Sequence, residues 1–343
     1  MISRDPGSGG SEHVRLRLQV EVERVSRLRF DDGAPVRAAS GLARLGEGWL
    51  VVQDDANHAA WCHPGGVRRL RIFPAIERLD HFGEADATKH LKPDLEAACE
   101  LQIMGEPAVL LLGSGSSPLR TRVALVRLHD GDPAVVVAEL DGLYAALADA
   151  LGVGLEDINI EGACWRGQDI RLFNRGNRRR GVASGSADVA VADLLAAFDA
   201  AANAGGGPRP MAAADQTDPA QVVAWPLIVG DVRRYDLGTI EGVGLSVTDA
   251  LWLPDGRLVL SAAAEDSGNN IDDGFVTGAA LALFDGAQRL AVATLRTVAG
   301  RVAKLEGIAL LETLADGFRL LGVVDDDDPT QASLQLVLRL RLD

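Results

Sequence analysis

Along most of the chain, short apolar runs alternate with clusters of Gly, Asp, Asn and Pro; examples are Trp49 to Val52, Ala108 to Leu112, Val135 to Val137, Leu258 to Leu260 and Leu334 to Leu340. Runs of this length between turn-forming residues predict strands. Two stretches depart from the pattern. Residues 142–151 and 191–204 are rich in Ala and Leu, with Asp141 and Ser186 or Asp188 near their starts, and predict helices. Residues 204–221, rich in Gly, Pro and Ala, predict a surface loop inside the domain. Residues 1–12, polar and rich in Gly and Ser, predict a disordered segment ahead of one domain spanning 13–343.

A repeat organises the strands. Five windows share one pattern: Ser40-Gly41-Leu42-Ala43-Arg44-Leu45, Glu96-Ala97-Ala98-Cys99-Glu100-Leu101, Glu161-Gly162-Ala163-Cys164-Trp165-Arg166, Thr248-Asp249-Ala250-Leu251-Trp252-Leu253 and Glu306-Gly307-Ile308-Ala309-Leu310-Leu311. Each opens with an oxygen-bearing side chain, continues with a small residue (Asp249 in the fourth) and runs into an apolar strand. A second strand follows each window and ends in a polar cluster: Asp54-Asp55, Ser114-Gly115-Ser116, Asn174-Arg175-Gly176-Asn177, Glu265-Asp266 and Asp325-Asp326. The openers lie 56, 65, 87 and 58 residues apart. Four-stranded blades need about 40–50 residues each, and the two long intervals contain the two helical stretches. The reading is therefore an all-β, five-bladed β-propeller with two short helical insertions. Only about three strands fit after Glu306, so the run from Val14 to Val25 is expected to pair beside residues 333–341 and close the ring. A sixth blade stays open if the long third interval hides one, with Val229 to Thr239 as one of its strands.

Composition changes this picture at three points. The formal charge of −15 argues against a nucleic-acid groove, which needs a basic stripe. It agrees with cation binding, and equally with a surface that merely keeps the protein dispersed. Three cysteines cannot make a closed disulfide framework; Cys99 and Cys164, in apolar strands, are expected as buried free thiols. The N-terminus lacks the features of a signal peptide, and no run approaches the roughly 18 apolar residues of a membrane span. A cytoplasmic location without a membrane partner is the expectation.

Propeller topology brings the five openers and the five second-strand ends to one face, around the central channel. Ser40, Glu96, Glu161, Thr248 and Glu306 would then form a ring in which three carboxylates repel one another. Either their pKa values rise or a cation neutralises them. An all-oxygen set without His or Cys points to Ca²⁺, with Mg²⁺ and Mn²⁺ behind it. The bland alternative is that these residues cap strands and bind only water. From the second ring, Asp54 or Glu265 is a candidate general base for a metal-dependent hydrolase.

The order Ser, Glu, Glu, Thr, Glu resembles the calcium ring of the calcium-activated nucleotidases (apyrases), five-bladed propellers in which each blade gives one ligand. That resemblance implies a bound calcium and hydrolysis of a nucleoside diphosphate. The segment from Ser40 to Asp55 is similar to the opening of phytase-like bacterial propellers, and Glu161-Gly162 and Glu306-Gly307 to metal-ligand motifs of gluconolactonase propellers. Over its length the chain looks most like an uncharacterised bacterial propeller family. The expected function is a calcium-binding propeller, as a hydrolase of phosphate esters, phosphoanhydrides or lactones with a small anionic substrate; the alternative is a non-catalytic ligand- or protein-binding propeller with a structural cation. Arg175 and Arg178 to Arg180 read as a solvated loop face, Gly113 to Ser117 as an ordinary turn. His58, Cys62 and His63 lack a fourth ligand for zinc.

Overall fold

A computed structural model describes residues 16–203, 227–266, 274–325 and 330–342. Among these residues the strands form five antiparallel sheets. The first holds β2 (Ala39–Leu45), β3 (Gly48–Gln53), β4 (His58–His63) and β5 (Gly66–Arg71), and the second holds β6 (Leu95–Ile103), β7 (Glu106–Gly113), β8 (Arg122–His129) and β9 (Asp132–Glu139). The third holds β10 (Ile160–Arg166), β11 (Asp169–Asn174), β12 (Gly185–Ala190) and β13 (Val229–Arg234). The fourth runs β14 (Thr239–Ile240), β15 (Val243–Trp252), β16 (Leu258–Asp266), β17 (Phe275–Asp285) and β18 (Gln288–Thr294), in which β14 is a short hairpin partner of β15. The last holds β19 (Leu305–Leu314), β20 (Gly317–Val324) and β21 (Leu334–Leu342).

That last sheet is completed by β1 (Leu18–Arg27), which pairs antiparallel with β21 from Leu18–Leu342 to Arg27–Leu334. The closure expected from the sequence is thus present. The residues once open to a sixth blade instead complete the third, because β13 pairs with β12. The innermost strands β2, β6, β10, β15 and β19 adjoin one another in a ring, which makes the molecule a five-bladed propeller.

The glycine after three of the openers, Gly41, Gly162 and Gly307, has a steric cause. A Cβ on Gly307 would lie 2.7 Å from the backbone nitrogen of Leu42 in the neighbouring blade, and one on Gly162 would lie 3.1 Å from the Asp249 Cα. Helices α1 (Asp141–Leu151) and α2 (Val191–Asn203) fall where the sequence placed them. Leu143, Tyr144, Leu147 and Leu151 of α1 and Leu194 and Phe198 of α2 extend the core shared by the second and third blades. The Tyr144 hydroxyl donates to the Gly113 carbonyl at 2.7 Å, and a Cβ on Gly115 (φ +75°) would collide with its ring. Cys99 and Cys164 are free and buried, as expected. The segments 1–12 and 204–221, and most of 267–274 and 325–328, lie outside the described residues.

Candidate functional site at the channel mouth

In every blade the pairing of the innermost strand slips by one residue at the opener: between Ala39 and Gly41, Leu95 and Ala97, Ile160 and Gly162, Val247 and Asp249, and Leu305 and Gly307. Each opener is therefore the extra residue of a β-bulge. A bulge re-aims the side chain it carries and recurs beside functional sites. Five blades repeat the same local distortion at the same position.

The two hydroxyl openers are buried and tie blade to blade. Ser40 Oγ donates to the Leu95 carbonyl at 2.6 Å, and Thr248 Oγ1 to the Leu305 carbonyl at 2.5 Å. In each case the acceptor is the residue before the next blade's opener. The proton points into the backbone, and oxygen lone pairs remain.

The three glutamates meet partners that the sequence reading missed. Glu161 Oε1 accepts from Arg175 Nη1 at 2.8 Å and from Asn159 Nδ2 at 2.7 Å. Its other oxygen, Oε2, is buried with no hydrogen-bond partner among the described residues, and the side chain is 8% exposed. Glu306 Oε1 lies 2.7 Å from Lys304 Nζ, and Glu96 Oε1 lies 3.9 Å from Lys92 Nζ. Arg175, read as part of a solvated loop face, in fact lies inside the ring, bridging Glu161 and Glu265. Gly113 to Ser117 is also more than a turn, since Ser114 Oγ donates to Asp94 and also contacts Ser116 Oγ.

Two charge clusters result. In one, Lys92 pairs with Asp54, with Asp94 at 2.8 Å and with Glu96, while Arg120 holds Asp94 at 2.9 Å. In the other, Arg175 and Lys304 face Glu161, Glu265 and Glu306. Each cluster sets three carboxylates against two fixed cations, so these described residues together carry an excess of two negative charges when all are ionised. Among the described residues, one group of three acidic side chains brings its oxygens within 4.8 Å of one another: Asp54, Asp94 and Glu96.

The excess falls on the openers. Burial raises the pKa of all three glutamates. For Glu96, Asp94 and Asp54 push further in the same direction. Glu306 is carried by burial to about 7, against Lys304 and with help from Glu161. Burial acts on Glu265 and Asp94 too, but their cations prevail: Arg175 and Lys304 draw Glu265 down to about 2, and Lys92 and Arg120 hold Asp94 below its usual range. Asp55, beside Asp54 and paired with Arg37 at 2.9 Å, is lifted to about 6 by burial and by the Asp54 charge, and its Oδ1 has no partner.

Asp94, Asn159 and Lys304 each lie two residues before an opener, where the other blades have Ala38 and Ser246. Extending the repeat by two residues would have exposed this inner polar ring. The zinc candidates do not assemble: His58 packs against Phe30 and His81, and His63 stacks on Trp61 at 4.2 Å.

Residues 88–329 match the model of a family of unknown function, DUF6910. The chain belongs to the DUF6910 family. Among proteins with curated functions, none matches this sequence. Solved structures similar to the DUF6910 chain include a luciferin-regenerating enzyme (11% identity, 90% of this chain and 79% of that one, TM-score 0.37). A protein of unknown function from Dyadobacter fermentans (11%, 94% and 99%, TM-score 0.42) and an endo-arabinase from Bacteroides thetaiotaomicron (9%, 91% and 96%, TM-score 0.42) are also similar. At these identities and TM-scores the likeness carries no activity across. No helix among the described residues of the DUF6910 chain is long and apolar enough to cross a membrane.

Proposed function

We propose that the channel mouth is a divalent-cation site, for Ca²⁺ before Mg²⁺ or Mn²⁺, serving a hydrolase of small anionic esters or anhydrides. The observation that carries this reading is Glu161 Oε2, a buried carboxylate oxygen with no donor among the described residues, on one of five openers that each sit in a β-bulge. The oxygens of Glu96, Glu161 and Glu306 do not all lie within 4.8 Å of one another, so side chains would have to move for one ion to reach all three. The donor set fits a hard cation. All five are oxygens, the two hydroxyls keep lone pairs, and Glu161 Oε2 is a buried acceptor without a donor. The order of the five openers, similar to that of the apyrase calcium ring, supports the same reading.

When bound, a divalent cation polarises a substrate oxygen and lowers the pKa of bound water. The chain's own residues supply the rest. Lys92 holds Asp54 in place and, with Arg120, keeps Asp94 ionised, while Arg175 and Lys304 do the same for Glu265. Of the bases suggested by the second ring, Glu265 is too acidic, at about 2, to accept a proton readily near neutral pH. Asp54 remains beside Lys92, and its neighbour Asp55, at about 6 with a free oxygen, is the better-matched acceptor.

The cations interleaved in the ring favour a second reading, a non-catalytic propeller whose cation is structural: Glu265, with its oxygens taken by Arg175, Lys304 and the Gly274 N–H, behaves as a counter-ion. One experiment separates the two. The protein is stripped with EDTA, its melting temperature is followed during Ca²⁺ addition, and hydrolysis of p-nitrophenyl phosphate, ADP and a γ-lactone is assayed in both states. A Ca²⁺-dependent rise in melting temperature with Ca²⁺-dependent turnover supports the enzyme. A rise without turnover supports the structural cation, and no rise, unaltered by Glu161→Gln, overturns the site.

A further inference from the structure

A second concavity lies between the third and fourth blades at the other end of the strands. It has a volume of about 760 Å³ and is walled by the β10–β11, β15–β16 and β17–β18 turns and the neighbouring strands. Arg166 and Trp252, in its lining, stand five and four residues along the inner strands from Glu161 and Thr248, about 13–16 Å at a strand's rise. The volume is that of an ordinary small-molecule site, but the lining is unusual for one. Its fourteen residues comprise five aspartates, four arginines, three glycines, one glutamine and Trp252, with no aliphatic side chain.

The charged side chains are pre-oriented. Arg171, 4% exposed, is clamped by Asp188 at 2.6 and 2.7 Å and by Asp231 at 2.5 Å. Arg233 shares Asp231 at 2.7 Å, and Arg257 holds Asp255 at 2.5 Å. Arg166 is different. It lies over the Trp252 ring at 4.6 Å and makes no ion pair among the described residues. The indole N–H beneath has no acceptor.

We infer that this concavity binds a neutral polyhydroxylated ligand, of the carbohydrate class, with one ring replacing Arg166 on the face of Trp252. Each alternative class meets a specific cost. A wall with no aliphatic residue, only the stems of its polar side chains and one indole, gives an apolar ligand little to bury against. Five carboxylates oppose an anion and four guanidiniums oppose a cation, so the near-balanced wall selects against net charge. Neighbouring hydroxyls, by contrast, both donate and accept, and planar carboxylate and guanidinium groups engage them in pairs. The fixed ion pairs lower the ordering cost of binding. Arg166, held by the ring alone, is the side chain free to move aside.

The test is an indole ¹H–¹⁵N spectrum of the full chain, in which Trp252→Phe identifies the Trp252 resonance among the five tryptophans. Glucose, galactose, mannose, arabinose and trisaccharides of each are titrated, with sodium phosphate and benzoate as charged and apolar contrasts. The expected result is a saturable shift of the Trp252 resonance with at least one saccharide, retained in Glu161→Gln, and calorimetric binding of that saccharide to the parent that is lost in Trp252→Ala. A Trp252 resonance unmoved by every saccharide to 50 mM, equal shifts with phosphate or benzoate, or saccharide binding that survives Trp252→Ala would each overturn the inference.

Discussion

Replacing Arg175 by methionine removes the guanidinium that bridges the third and fourth blades while keeping most of the side chain's apolar stem. Glu161 would retain only Asn159 at 2.7 Å, and Glu265 would retain Lys304 at 3.1 Å and the Gly274 N–H at 2.7 Å. The excess negative charge at the mouth grows from two to three, in a space where Glu161 is 8% and Glu265 2% exposed. Breaking a buried ion pair from one side costs about 3–5 kcal/mol, because the abandoned carboxylate stays desolvated. For a chain of this size each kcal/mol lowers the melting temperature by about 1.4 °C, so Arg175→Met is expected to melt roughly 4–7 °C below the parent in EDTA. Calorimetry then measures both proteins with saturating Ca²⁺. The freed carboxylates should make Ca²⁺ raise the variant's melting temperature more than the parent's. A variant within 2 °C of the parent in EDTA, or one that gains no more from Ca²⁺, would refute the charge balance described for the mouth.

Two further outcomes follow from other parts of the fold. His58, 4% exposed, is held at about 4 by burial, with His81, Arg69 and Arg71 adding to the effect, so protonation favours the unfolded chain. Its stabilising contribution is complete above pH 6.5 and is lost as pH falls toward 4, by about 3 kcal/mol; urea unfolding of His58→Gln should lack this segment of the pH profile, and an unchanged profile would count against it. Gly307→Ala forces a Cβ against the Leu42 and Gly41 backbone, whereas Gly83 has open space around it. The first should cost at least 1–3 kcal/mol in denaturant unfolding and Gly83→Ala well under 1 kcal/mol, and equal effects would contradict the close packing of the inner strands.

The blades were legible because each repeats a local pattern. An oxygen-bearing opener, a small residue and an apolar run recur where inner strands start, and the glycines among the small residues report a close backbone approach, tight for a side chain at Gly41 and Gly162 and too close for one at Gly307. The closing strand was legible by subtraction, since the last blade lacked a member. The neutralising cations were not. Lys92 and Lys304 stand four and two residues before their openers, where the polar position varies in charge from blade to blade, and Arg175 lies beside three exposed arginines that disguise a largely covered one. The sequence reading offered two fates for a ring of carboxylates, proton uptake or a metal ion, and the fold supplies a third in part: ammonium and guanidinium groups from the chain itself. That supply stops two charges short, at Glu96, Glu161 and Glu306, whose pKa values stay raised.

The most direct measurement is anomalous scattering from crystals grown with Mn²⁺, which scatters anomalously and takes the same oxygen ligands. The expected result is one strong peak at the channel mouth beside Glu161 Oε2, which weakens or disappears in Glu161→Gln. A mouth free of anomalous signal, with Lys92, Arg175 and Lys304 still spanning the carboxylates and Glu161 Oε2 bonded to water, would contradict the cation site.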